Sequence, residues 1–158
     1  GRSSESIQSY HAVQAIGPPN ARTEGGDSPF AWCPENENGG TEWLLLTLET
    51  PTLVRSLRVF ENTGAGALVK VAAVDDEDRE TLAWEGDPEP SAKHRINEIT
   101  RDNAPPTRRL KLYLDTAAVS GWNEIDAVEA TATDGSTSWP IKAEASSSWS
   151  TTKPKTTP

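Results

Sequence analysis

The residues best placed to do chemistry lie late in the chain, in the stretch GWNEIDAVEA from Gly121 to Ala130. Glu124 and Asp126 stand two positions apart. On a strand that spacing puts both carboxylates on one face, about 7 Å apart, within the roughly 5–10 Å separation that a glycoside-cleaving pair uses. No histidine, lysine or serine motif stands near them to complete a mechanism. Acids alternating with Ile125 and Ala127 are also what a half-solvated strand produces. The stretch therefore reads as a closing strand with its acids in water, and not as a catalytic centre.

Other candidate ligands for metal or substrate are fewer than the charge suggests. Asp75-Asp76-Glu77-Asp78 lacks the alternating oxygens and central glycine of a calcium loop and reads as a solvated hairpin tip. His11 and His94 are far apart and in no ligand spacing, which argues against zinc. Cys33 is the single cysteine, so there is no internal disulfide and no cysteine cluster. Between Trp32 and Pro34 it reads as a partly buried, inert thiol.

The aromatic residues divide by position. Trp43, Trp84 and Phe60 fall among aliphatics within strands and are expected in the core, and Trp32 is assigned there too. Tyr10, Phe30 and Trp122 fall at loops or strand edges, where a ring can stack on the apolar face of a pyranose while Asn62 and Asn123 meet its hydroxyls. Trp122 fits packing as well as contact. The loop Glu61–Gly66 is a plausible rim, because its glycines allow close backbone approach. The expected ligand-binding set is thus Tyr10, Phe30, Asn62, Trp122 and Asn123.

Composition limits what can surround these residues. At 158 residues the chain has the length of one domain with a tail. A formal net charge of -9 argues against a nucleic-acid partner, which requires clustered Lys and Arg. No window approaches the roughly 20 apolar residues of a membrane-spanning helix, so no membrane insertion is expected. The sequence contains no methionine and reads as a piece of a longer protein. Residues 1–8 are expected as an N-terminal extension, 9–144 as the domain, and 145–158, rich in Ser, Thr and Pro, as a linker or tail.

The elements that must position the candidates are strands. Glu42–Leu48 is a continuous apolar run. Leu53–Phe60 alternates, with Leu57 and Val59 opposite Ser56 and Arg58. Arg109–Asp115 alternates most cleanly, with Leu110, Leu112 and Leu114 on one side. Val69–Val74, Thr81–Glu85, His94–Thr100 and Ile125–Thr131 complete the set. Turn residues separate them, notably Gly39-Gly40, Thr63–Gly66, Asp75–Asp78 and Asp134-Gly135. Short strands at near-regular spacing indicate an all-β antiparallel sandwich or barrel.

The order of the pieces carries a likeness. YHAVQAIGPPN (Tyr10–Asn20), Phe30-Ala31-Trp32, GGTEWL (Gly39–Leu44), TPTLVRSLRVFEN (Thr50–Asn62) and GWNEIDAVE follow one another over Ser9–Ala132. In this the chain resembles the discoidin, or coagulation factor 5/8 type C, superfamily of galactose-binding-like jelly rolls, and within it a bacterial module appended to surface and secreted proteins. The resemblance implies an eight-stranded β-sandwich that binds sugars, phospholipid head groups or proteins through loops at one end, without catalysis. It also implies one structural Ca²⁺ held between a loop and the closing strand, at the positions Asn20, Asp27 and Glu129. The resulting expectation is a glycan-binding module of an extracellular, cell-surface or periplasmic protein. The alternative is a protein-interaction or spacer domain that packs against neighbouring domains.

Overall fold

A computed structural model describes residues 9–21, 25–90, 94–98 and 105–149. The chain folds as an all-β sandwich of two antiparallel sheets. Nine strands lie among the described residues: β1 (Thr41–Thr52), β2 (Val54–Thr63), β3 (Leu68–Val74), β4 (Glu80–Glu85), β5 (His94–Glu98), β6 (Thr107–Asp115), β7 (Glu124–Ala132), β8 (Thr137–Ser138) and β9 (Lys142–Ala145). One sheet has the order β4-β3-β6-β1-β9 and the other β5-β2-β7-β8. The expected strands are all present, and β8 and β9 are additional. Both are too short and too polar to show a period in the sequence.

Alternation builds the core. Leu44, Leu46 and Leu48 of β1 and Leu110, Leu112 and Leu114 of β6 face inward, against Leu57, Val59, Ile125, Val128 and Ala130 of the other sheet. Trp32 is fully buried among them, as expected, and is tied to β7 by a pair of backbone bonds with Ile125 of 2.8 and 2.9 Å. Cys33 is buried and unbridged.

Three expectations are corrected. Trp43 is not in the core: it alternates with Leu44 and lies on the outer face of the five-stranded sheet. Phe60 is half-buried, facing Trp139 at 6.1 Å under Arg58. The residues just past position 145 are not a free linker, because Ser146 exchanges backbone and side-chain bonds with Trp43, and Trp149 bonds to Cys33. The packed domain therefore runs on to Trp149. Residues 1–8 and 150–158 lie outside the described residues, as does the expected strand end at Ile99-Thr100.

Candidate functional site

At the loop end expected to carry the ligand, the described residues brace one another. Regular alternation fails in the β2–β7 ladder, where Phe60 pairs with Ala127, Glu61 with Ile125 and Thr63 with Glu124. Asp126 and Asn62 are the extra residues of two successive bulges, and a bulge re-aims its side chain. Asp126 accepts the Ala21 N–H at 3.0 Å, and Glu124 accepts the Ser28 N–H and an Asn62 amide hydrogen, both at 2.9 Å. The acids expected in water are thus buried, Glu124 at 1% and Asp126 at 3% exposure. Burial pushes the Asp126 carboxyl above its ordinary value, against the opposing pull of the Ala21 N–H.

The neighbouring loop is packed in the same way. Asn123 donates to the Gly64 carbonyl at 2.7 Å, and Glu61 accepts from the Gly66 N–H at 3.2 Å. A side chain on Gly64 would meet the Trp122 carbonyl oxygen at 2.1 Å. The loop is therefore not an open rim. Trp122 and Asn123, expected as ligand contacts, are buried at 5% and 3% exposure. Tyr10, Phe30 and Asn62 do come together around residues 26–30, but as structural partners. The Tyr10 hydroxyl donates to Asp27 at 3.2 Å, its ring lies edge-on to Trp149 at 4.9 Å, and Asn62 spans Gly26 and Glu124.

The expected calcium ligands are not brought together. Asp27 lies beside Gly26, whose N–H bonds to the Asn62 carbonyl, whereas Glu129 pairs with Arg58 four residues further along β2. That is about 13 Å along the strand. Asn20 precedes Ala21, which sits at Asp126. Among the described residues no three His, Cys, Asp or Glu side chains gather to hold a metal. The Asp75–Asp78 run is the expected hairpin tip, closed by Asp75 accepting the N–H groups of Glu77 and Arg79.

A more open arrangement stands on the outer face of the five-stranded sheet. The register sets Trp43 beside Tyr113, Tyr113 beside Lys70 and Lys70 beside Glu85, across β1, β6, β3 and β4. The Tyr113 hydroxyl donates to Glu80 at 2.5 Å and the Lys111 ammonium to the other oxygen of Glu80 at 3.2 Å. The Tyr113 hydroxyl holds the Glu80 carboxyl below its ordinary value, while burial and Glu80 together push the Tyr113 phenol up. Lys111 lies 4.6 Å from the Trp43 ring centre and 5.1 Å from that of Tyr113, and Lys70 lies 4.6 Å from the Tyr113 ring. Beside them a groove of about 610 Å³ is lined by Thr41, Val69, Lys70, Glu85, Gly86, Asp87 and Tyr113.

Compared with protein-family models and with curated protein sequences, the chain matches none. The groove must therefore be understood from its own chemistry. It holds one aromatic ring, one ammonium group, two carboxylates, the hydroxyls of Thr41 and Tyr113, the second of them bonded to Glu80, and the apolar side chain of Val69. Such a surface can stack on a flat apolar face and exchange hydrogen bonds with hydroxyls around it. Sequence reasoning missed this site for a definite reason. The RRLKLYLD alternation already set Tyr113 and Lys111 outward, but the unbroken apolar run EWLLLTL hid the outward direction of Trp43.

Proposed function

We propose that this chain is a non-catalytic recognition module that binds neutral glycans, as one part of a longer surface or secreted protein. The observation that carries the reading is the groove at Tyr113, where an aromatic ring is interleaved with Thr41, Lys70, Glu85 and Asp87. Sugars present an apolar ring face edged by hydroxyls, and this lining offers both a stacking surface and mixed donors and acceptors. Its formal balance of one cation and two anions, on a chain of net charge -9, disfavours an acidic ligand.

Two further observations support the reading. The buried carboxylates of Glu124 and Asp126 are engaged by backbone N–H groups, which suits bracing and not proton transfer. Among the described residues the exposed large apolar side chains are few, Leu53 between β1 and β2, Leu82 on β4 and Ile141 just before β9, which offers little for docking a protein. The likeness to galactose-binding-like modules agrees with a sugar ligand, although the site favoured here is on the sheet face and not at the loop end.

Screening the purified chain against immobilised neutral and acidic glycans tests this. The expected outcome is binding confined to neutral glycans and weakened about tenfold or more by Tyr113→Ala, equivalent to about 1.4 kcal/mol. Silence across the whole panel, or binding that Tyr113→Ala leaves intact, would overturn the proposal.

A further inference from the structure

We infer that the groove is one end of a longer track whose ligand is an extended, neutral pyranose chain lying across the strands, with Trp43 as an outer subsite. The inference rests on the carbohydrate reading above and goes on to specify the shape of the ligand.

The track follows from register. Trp43, Tyr113, Lys70 and Glu85 are successive partners on four neighbouring strands, so the row spans three strand spacings, about 14 Å. A pyranose residue is about as long as one spacing. The groove accounts for the part from Asp87 to Tyr113 and includes Thr41, and Trp43, the partner of Tyr113 on β1, extends the row beyond it. One sugar residue cannot touch both ends of this row; three or four consecutive residues can.

The surface is also held ready in advance. Ala72 shares the outward register with Lys111 and Leu82, yet it is wholly buried, while Leu82 is 55% exposed. Tyr113, whose partner on β3 is Lys70, is pinned at 2.5 Å to Glu80, whose partner on β3 is Val74, so the bond spans the row that holds Ala72. Lys111 is pinned to the same carboxylate and lies over both rings. Rings and donors fixed before binding reduce the ordering cost of association. An open sheet face has no deep wall to enclose a compact, branched glycan. An equatorially linked chain lies flat and presents one ring face after another, which matches two rings set in a row with hydrogen-bonding groups between them.

The experiment is isothermal titration of the whole chain with xylotetraose, cellotetraose and mannotetraose, each alongside its own monosaccharide, for wild type, Trp43→Ala and Trp43→Phe. We expect at least one tetrasaccharide to bind about tenfold or more tightly than its monosaccharide. Trp43→Ala should remove most of that advantage, and Trp43→Phe should retain it. Should Trp43→Ala fail to fold by circular dichroism, Trp43→Leu, which removes the ring and keeps apolar bulk, carries the same comparison. Equal affinity for monosaccharide and tetrasaccharide, or a tetrasaccharide affinity indifferent to loss of the Trp43 ring, overturns the track and leaves the carbohydrate reading standing. Failure of every sugar to bind overturns that reading, and the track with it.

Discussion

Asp126 and Glu80 show how one kind of side chain is used in opposite ways. Burial raises the Asp126 carboxyl above its ordinary value of 3.8, so the folded chain holds that proton more tightly than the unfolded chain does. Its favourable contribution is complete below the ordinary value and is lost as pH rises through the raised one. Asp126→Asn keeps an oxygen to accept the Ala21 N–H and removes the charge. It is expected to raise the melting temperature at pH 7, with the gain vanishing as pH falls below about 4; an unchanged difference from pH 3 to 8 would contradict this. Glu80 runs the other way. The Tyr113 hydroxyl lowers its carboxyl below 4.5, so its contribution is present above that value and is lost as pH falls through the lowered one. Tyr113→Phe should flatten that part of the pH–stability curve while keeping the ring for a ligand. Neither behaviour was legible in the sequence, where both acids read simply as polar positions on strands.

At the scale of elements, two close backbone approaches fix the loop after β2. A side chain on Gly66 would stand 1.8 Å from the Glu89 carbonyl oxygen, at a φ of +101° that only glycine adopts easily. Gly66→Ala is expected to destabilise the chain by about 3 kcal/mol or more, since backbone and not a flexible side chain must yield. Gly135, at a φ of +88° with open space around it, is the natural control, and Gly135→Ala should cost only about 1–2 kcal/mol of left-handed strain. Chemical denaturation of both variants measures the difference, and equal costs would refute the packing argument. These elements also show what a single sequence reveals. Arg109–Asp115 announced its two faces because leucine and polar residues strictly alternate. The acids of GWNEID did not, because two bulges shift the register and Ala21 and Ser28 then bond to what alternation would leave in water. Local pattern carries the strands, whereas bulges and loop docking depend on partners about a hundred residues away in the chain.

Across the whole molecule, the segment after β9 fastens the beginning of the domain to its end. Trp149 donates its N–H to the Cys33 carbonyl at 2.8 Å, Ser147 accepts the Trp32 indole N–H at 2.9 Å and the Glu35 N–H at 3.0 Å, and Ser146 brackets the backbone of Trp43. Each such bond is worth about 1 kcal/mol net, and the Trp149 ring adds apolar area against Tyr10. Ordering the four residues of Ser146–Trp149 costs about 1–2 kcal/mol each, which offsets most of that gain. The balance is a strap worth roughly 2 kcal/mol. Ending the chain at Ala145 is therefore expected to lower the melting temperature by roughly 4–8 °C and to expose the indole N–H of Trp32, visible as a red shift in tryptophan emission. An unchanged melting temperature would mean that the serine-rich segment adds nothing to the fold, and that its composition had been the better guide to its role than its hydrogen bonds.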